Sequence, residues 1–150
     1  MLAATLLTQP MNIEVTKRLE HICLKSDLDL QTFGEKFATV LSLPKMEYDY
    51  ENETEWLDID VDRFNYNISR PYEEGTLQKW DDTTPAGCNF GIVLSIHKDH
   101  PLVLDNIWVD KTVADICEKL SKTFNTNVYH HRTFTFGVDG SERKNIVFNP

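Results

Sequence analysis

The stretch MEYDYENETEWLDIDVDRFNYNIS (residues 46–69) has the two-residue period that is typical of β-strands. Apolar or aromatic residues alternate with polar, mostly acidic ones over 46–51 and again over 57–62, on either side of a polar turn at 52–54. The side chains that this pattern places toward a core are Met46, Tyr48, Tyr50, Leu57, Ile59 and Val61. We therefore expect two antiparallel strands with one apolar face and one acidic face.

The alternation changes parity after Asp62. Phe64, Tyr66 and Ile68 occupy the even positions that held acids in the preceding strand. Because a shift of one residue moves every side chain to the other face of a sheet, a turn or bulge near Asp62 and Arg63 is needed to keep the apolar set on the core side.

A first helix is predicted over residues 29–43. Its apolar residues recur at helical spacing, Asp29 is suited to cap the N-terminus, and Pro44 is suited to stop the helix. Such a helix covers the apolar face of the predicted sheet.

A second helix is predicted over residues 111–124, again from the spacing of its apolar residues. Thr112 and Asp115 form a capping box of the kind that uses aspartate. Cys117 lies on the apolar face of this helix and is interpreted as a core residue.

Further strands complete the sheet. Residues 12–19 fit either a first strand or a short helix, and β-branched residues that alternate with polar ones favour the strand. Residues 90–96 alternate strictly, and the runs 132–136 and 144–148 flank Asp139-Gly140, a strong hairpin signal. The sum predicts an α+β fold: a single domain with an antiparallel β-sheet covered by two main helices.

The domain is expected to span residues 11–150, with residues 1–10 as a flexible leader or an upstream start before Met11. Three cysteines form no C-x-x-C pair, and their odd number favours a reducing compartment, so the expected location is the cytoplasm. The sequence has neither a secretory leader nor an apolar stretch of membrane-spanning length.

Acidic residues dominate one short segment. The chain carries a net charge of −9, and residues 47–62 contain eight acids and no Lys or Arg, whereas the rest of the chain has 16 acids against 15 bases. The eight are Glu47, Asp49, Glu51, Glu53, Glu55, Asp58, Asp60 and Asp62. This charge disfavours nucleic acid and anionic membranes as partners and permits a basic protein. The alternative is a solvated sheet face, although like charges opposite each other destabilise a sheet.

No catalytic or metal motif is recognised. Asp58-x-Asp60-x-Asp62 begins like a calcium loop, but Arg63 stands where a glycine is required and Ser69 where a glutamate is required. The histidines at 97, 100, 130 and 131, and a thiol nucleophile at Cys23 or Cys88, have no supporting signature. We therefore expect no catalytic residue, no metal and no cofactor.

The segment 70–89 is the longest stretch without a hydrophobic period, and it predicts a long loop. Tyr72 and Trp80 stand within it. Exposed aromatic rings next to an acidic face are typical of a protein interface, so both are candidate partner-binding residues together with the eight acids. The alternative is that Trp80 folds back onto the sheet as an anchor for the loop.

The order of the helix DLQTFGEKFATVLSLP, the strands EYDYENETEWLDIDVDRFNYNISRPY and the WDD loop resembles small bacterial proteins of toxin and immunity loci, including immunity proteins of contact-dependent growth inhibition systems. The resemblance covers about residues 27–97. It implies a cytoplasmic protein without catalytic activity that binds a cognate toxin and blocks its active site. Toxins of these systems are often nucleases with basic clefts. No binding residue is carried over by matching.

The sequence therefore predicts a protein-binding immunity factor whose partner is a basic, nuclease-type toxin. A small cytoplasmic enzyme that uses its His or Cys residues, and a scaffold domain without enzymatic activity, are the alternatives. The oligomeric state is left open.

Overall fold

The computed structural model describes residues 17–150. Its strands are β1 (Lys17–Leu24), β2 (Glu47–Tyr50), β3 (Thr54–Val61), β4 (Phe64–Pro71), β5 (Phe90–His97), β6 (Val128–Arg132) and β7 (Arg143–Phe148). Its helices are α1 (Leu30–Leu41), α2 (Thr76–Trp80) and α3 (Asn106–Phe124). The strands form one open antiparallel sheet in the order β2-β3-β4-β5-β1-β6-β7. The prediction of an α+β domain built on an antiparallel sheet is confirmed.

Helix α1 forms where the sequence predicts it. The Asp29 carboxylate accepts a hydrogen bond from the Thr32 backbone N–H at 2.7 Å, which satisfies a donor of the first turn. Ser42, with a φ of 56°, ends the helix in the left-handed conformation. The Phe33 ring stacks on Phe90 at 4.1 Å and on Phe124 at 4.2 Å, so one side chain joins α1 to the sheet and to α3.

Helix α3 begins five residues before the predicted start. Its N-cap is Asp105, whose carboxylate accepts from the Trp108 N–H at 3.0 Å. The predicted capping box at Thr112 and Asp115 is wrong, since both residues lie inside the helix. Cys117 is fully buried, which confirms its place in the core.

The core lies between the sheet and helices α1 and α3. The buried strand residues that face the helices include Ile22, Leu24, Leu57, Ile68, Phe90, Ile92, Leu94, Ile96 and Val128. Gly34 lets α1 approach β3 closely, because a Cβ at this position would overlap the Leu57 side chain. The opposite face of the sheet, called the outer face below, carries no long helix among residues 17–150.

The predicted parity change is a tight hairpin turn. Val61 pairs with Phe64, and the two residues between them, Asp62 and Arg63, have φ values of 50° and 68°. Two consecutive residues with positive φ are the mark of a type I′ hairpin turn, whose twist matches that of the flanking strands. Ile68 is consequently buried on the helix side, as predicted.

Three predicted elements need correction. Tyr48 and Tyr50 are not core residues, because α1 packs against β3 and the edge strand β2 extends past the helical layer. Residues 133–136 belong to a loop that runs to residue 142, and the hairpin strand before it is β6 instead. The segment 70–89 is not a plain loop, since it contains β4 residues and the short helix α2.

The predicted first strand at 12–19 overlaps β1 at residues 17–19, and β1 continues to Leu24. Its remaining residues, the leader at 1–10 and the start at Met11 lie outside the described part of the chain. No helix among residues 17–150 is long and apolar enough to cross a membrane.

Candidate functional site: an acidic arm at the sheet edge

The acidic arm is the segment 47–62, which comprises strand β2, the turn after it, strand β3 and the first residue of the next turn. It forms one edge of the described sheet, because within residues 17–150 β2 pairs only with β3. All four residues of β2 are exposed. The arm is therefore the part of the sheet that is most open to a partner.

Four of the eight acids share the outer face. They are Glu47, Asp49, Asp58 and Asp60, as the register of the three strands requires. Glu47 stands directly opposite Asp58, so like charges face each other across the strand pair. Such an arrangement destabilises a sheet. No Lys or Arg within β2 to β4 lies on this face to offset the repulsion.

Neutral amides of β4 hydrogen bond to the two aspartates of β3. Asn65 Nδ2 donates to Asp60 at 2.8 Å and to both oxygens of Asp58 at 3.2 Å, and Asn67 Nδ2 donates to Asp58 at 3.1 Å. These bonds orient the carboxylates but leave their charge uncompensated. Arg70 is the only Lys or Arg within the three strands β2 to β4.

The other four acids lie elsewhere on the arm. Glu51 and Glu53 are in the exposed turn between β2 and β3, and Asp62 is in the hairpin turn. Glu55 faces the helix side, where its carboxylate lies 3.1 Å from Arg70 and accepts from the Tyr48 hydroxyl at 3.0 Å. Of the eight predicted acids, four lie on the outer face, three lie in turns, and Glu55 is paired with Arg70 on the helix side.

Tyrosines accumulate on the helix side of the arm. Tyr48, Tyr50 and Tyr72 are 44%, 64% and 51% exposed. The rings of Tyr48 and Tyr50 are 6.2 Å apart, and the Tyr72 N–H donates to the Glu53 carbonyl at 3.0 Å. Desolvation, Glu55 and the neighbouring tyrosines raise the pKa of the Tyr48 phenol. Tyr72 therefore lies beside Glu53 on the helix side of the arm and not on its acidic outer face.

Trp80 lies apart from the arm. It ends helix α2, is 48% exposed, and lines a cavity of about 630 Å³ on the outer face over the central strands. His21, Asp81 and His131 line the same cavity. The two aromatic residues that the sequence singles out thus belong to different surfaces.

The four histidines considered from the sequence do not converge. His97 pairs with Asp99 at 3.2 Å, and the His100 ring stacks on Trp108 at 4.6 Å. His130 is buried on the helix side of the sheet, whereas its neighbour His131 faces the outer side. A group of possible metal ligands does form, but from His21, Asp81 and His131.

The three cysteines are free and buried, which argues against a reactive thiol. Burial raises the pKa of the Cys117 thiol to about 12. A hydrogen bond with Cys88, together with burial, raises the pKa of Cys23, and the same bond lowers the pKa of Cys88.

A second group of charges, called the buried charge cluster, lies on the helix side between β1, β6 and α3. Its members are Arg18, Glu20, Asp110, His130 and Arg132, and four of them are at most 3% exposed, the exception being Asp110. Arg132 Nε donates to both oxygens of Glu20, at 2.7 and 2.9 Å, and His130 Nε2 lies 2.8 Å from Glu20. Arg132 also lies 2.6 Å from Asp110 on α3. The cluster therefore joins two strands and a helix.

Glu20 is the centre of this cluster. Burial disfavours its carboxylate, but hydrogen bonds from His130 and Arg132 outweigh burial and lower the pKa of Glu20. Burial lowers the pKa of His130 in spite of the nearby Glu20 charge. Sequence reasoning missed this cluster, because the residues that compose it are separated by about a hundred positions and carry no local signature.

No protein-family model, curated protein or solved structure matches this chain.

Proposed function

We propose that this chain is a protein-binding immunity factor of the kind found in bacterial toxin and immunity loci. In this proposal, the acidic arm binds a cognate nuclease-type toxin with a basic surface and covers its active site. The single observation that carries the proposal is the arrangement of the arm: four carboxylates lie on one open sheet face, one directly opposite another, and no Lys or Arg lies on that face within strands β2 to β4.

Like charges face each other on the arm of the free protein. Glu47 and Asp58 repel each other, so the arm is less stable than it would be with a Lys in either position. A positively charged partner removes this repulsion on binding. Complementary charges also steer the encounter and raise the association rate. Phosphate-bearing partners would meet repulsion instead, which disfavours nucleic acid.

The tyrosines of the arm supply the second component of an interface. Tyr48, Tyr50 and Tyr72 offer exposed ring area next to the acidic turn that holds Glu53. Tyrosine is enriched among residues that dominate binding energy, because it combines a large apolar surface with a polar tip. Acids that steer the encounter, next to tyrosines that stabilise the formed complex, are what a surface for a basic protein needs.

The test uses the toxin domain encoded by the neighbouring reading frame, where an upstream gene for a large secreted protein with a variable C-terminal domain would itself support the proposal. Association is measured by stopped flow for the parent and for the triple variant Asp58→Asn, Asp60→Asn and Asp62→Asn. At low ionic strength the variant should associate about tenfold or more slowly, with the difference shrinking as salt approaches about 0.5 M.

A matched control separates the arm from net charge. Glu35, Glu118 and Glu142 are exposed acids outside the arm, and changing all three to Gln removes the same formal charge. This control should associate at nearly the parental rate. Equal rates for parent and arm variant at low salt would mean that the acids are only a solvated face.

Ring-truncation variants then identify the residues that hold the complex. Tyr48→Ala and Tyr72→Ala should speed dissociation with little change in association if the arm is the interface. Trp80→Ala distinguishes the two surfaces, since Trp80 lies over the central strands. Faster dissociation of this variant alone would place the toxin on the cavity side.

A further inference from the structure

The cavity on the outer face brings together residues from three distant parts of the chain. His21 of β1 and His131 of β6 are direct cross-strand partners, and their rings stack at 4.8 Å with an angle of 10° between the planes. Asp81 follows helix α2, and its Oδ2 lies 2.8 Å from His131 Nε2. Each residue offers one atom that can bind a metal, and these three atoms lie within 4.8 Å of one another.

The spacing is near to that of a coordination site. Zinc bonds of about 2.0–2.2 Å in a tetrahedron separate neighbouring ligand atoms by roughly 3.3 Å. The Asp81–His131 pair is already closer than this, at 2.8 Å, so it must open slightly. His21 must approach by a side-chain rotation. The ring is half-buried at the cavity wall, which leaves it room to turn.

The surrounding residues orient the candidate ligands and leave space for a fourth, non-protein ligand. Asp81 Oδ1 accepts a hydrogen bond from the Thr83 N–H at 2.9 Å, which holds the carboxylate in place. His131 is 3% exposed, and its Nδ1 is buried without a hydrogen-bond partner among the described residues. The cavity of about 630 Å³ beside these groups has room for water or a small molecule at a fourth position.

We propose that His21, Asp81 and His131 bind a divalent transition-metal ion, zinc by preference. Two imidazoles and one carboxylate suit zinc, and three protein ligands beside a cavity are the arrangement of a site with an open position. Coordination through His131 Nε2 and Asp81 Oδ2 replaces the hydrogen bond between these two atoms.

Two further properties support this site. Burial and the adjacent His131 lower the pKa of His21, which favours the neutral imidazole that coordinates metals. Hydrogen bonds from Thr83 and His131 outweigh burial and lower the pKa of Asp81, so its carboxylate is ionised at neutral pH. The site also connects the α2 segment to the central strands, and metal binding would fix that segment over the sheet.

The test is direct metal titration of the full chain after treatment with a chelator. Zinc chloride is titrated by calorimetry, and cobalt chloride by visible absorption, which reports the coordination geometry of the cation. We expect one equivalent to bind with a Kd of about 1 μM or tighter. His21→Gln and Asp81→Asn should each weaken binding by about tenfold or more.

His97→Gln is the matched control, because it also removes one histidine but alters an exposed residue away from the cavity. This control should bind like the parent. Circular dichroism establishes whether each variant is folded. If Asp81→Asn does not fold, His21→Gln still tests the site. Absence of saturable binding at about 100 μM metal, or equal binding by the parent and His21→Gln, would overturn the proposal.

Discussion

The buried charge cluster and the acidic arm use the same charged residue types in opposite surroundings. In the cluster, Glu20 is removed from water and bonded to His130 and Arg132. In the arm, Asp58 is partly open to water, stands opposite Glu47, and receives only amide hydrogen bonds. A charge in the first setting is needed for the fold, whereas a charge in the second is available to a partner.

The difference follows from desolvation. A buried carboxylate loses its hydration and must recover the lost energy from fixed partners, so each partner becomes indispensable to the others. A carboxylate at the surface keeps most of its hydration and is screened by salt. Deleting a charge should therefore have opposite consequences in the two regions.

The largest expected effect is that of Glu20→Gln. This change leaves Arg18 and Arg132 buried without their shared anion, so the free energy of unfolding should fall by about 3–5 kcal/mol. Urea denaturation followed by circular dichroism measures it. Asp58→Asn is the matched substitution in the arm and should change stability by less than about 0.5 kcal/mol. Similar losses for the two variants would remove the distinction between the regions.

Leu57→Ala tests the other face of the arm. Leu57 is 5% exposed and packs beneath Gly34 of α1, so truncation should lower the free energy of unfolding by about 2–4 kcal/mol. The same denaturation assay applies. Ile59→Val, which removes one methylene group from the same strand, is the mild control at about 1 kcal/mol. A small effect at Leu57 would mean that the arm is not anchored to the core.

The pH dependence of stability should come in part from His130 of the buried charge cluster. The pKa of His130 is lower in the folded protein than its ordinary value near 6.5. The unfolded chain therefore takes up the proton first, and stability present above pH 6.5 is lost as the pH falls through the interval between the two pKa values. The loss per proton is at most about 1.4 kcal/mol per pH unit.

Denaturation at pH 7.5, 6.5 and 5.5 measures this slope, with the pH values chosen about the ordinary histidine pKa. His130→Gln should flatten the slope whatever its effect on absolute stability. His97→Gln, which removes an exposed histidine outside the buried charge cluster, is the control. An unchanged slope in His130→Gln would show that other groups govern the acid sensitivity.

The smallest expected effect is on the stability of the arm triple variant. Asp58→Asn, Asp60→Asn and Asp62→Asn relieve repulsion and keep side-chain shape, so the free energy of unfolding should be unchanged or higher by about 0.5 kcal/mol. Differential scanning calorimetry at low salt detects a change of this size. A clear loss of stability would assign the aspartates a structural role.

Patterns within single elements predicted the strands β3 to β5 and helix α1. In these segments the alternation or the helical spacing is unbroken, and the caps and turns stand beside it. The turn at Asp62 and Arg63 could be predicted for the same reason. A two-residue hairpin loop moves the apolar positions from odd to even residue numbers, and this shift is visible in the sequence. Four acids on the outer face followed from this register as well.

Elements that depend on distant partners were predicted poorly. Phe134 and Phe136 alternate like strand residues but are exposed in a loop, because Ser141 binds back to Thr135 and turns the chain away from the sheet. Helix α2 is one short turn held on the outer face through Leu77. Neither interaction has a signal in the local sequence.

The charges inside the protein were the hardest to foresee. Arg18 and Glu20 alternate with Leu19 and His21, which reads as a polar face directed to water. The register with β5 places Arg18 and Glu20 on the helix side instead. His130 and Arg132 of β6 bind Glu20 and make its burial tolerable, and partners 110 and 112 positions away cannot be read from a periodic pattern.

Among residues 17–150, no strand pairs with the outer side of the β2 backbone, and such an edge is a template for pairing with another copy of the same chain. Glu47 and Asp49 project from this strand, so two copies that approach edge to edge bring four carboxylates together. We therefore expect these acids to oppose polymerisation through β2. Near the isoelectric point of about 4.9 this opposition weakens, and light scattering across an acid titration should rise there first.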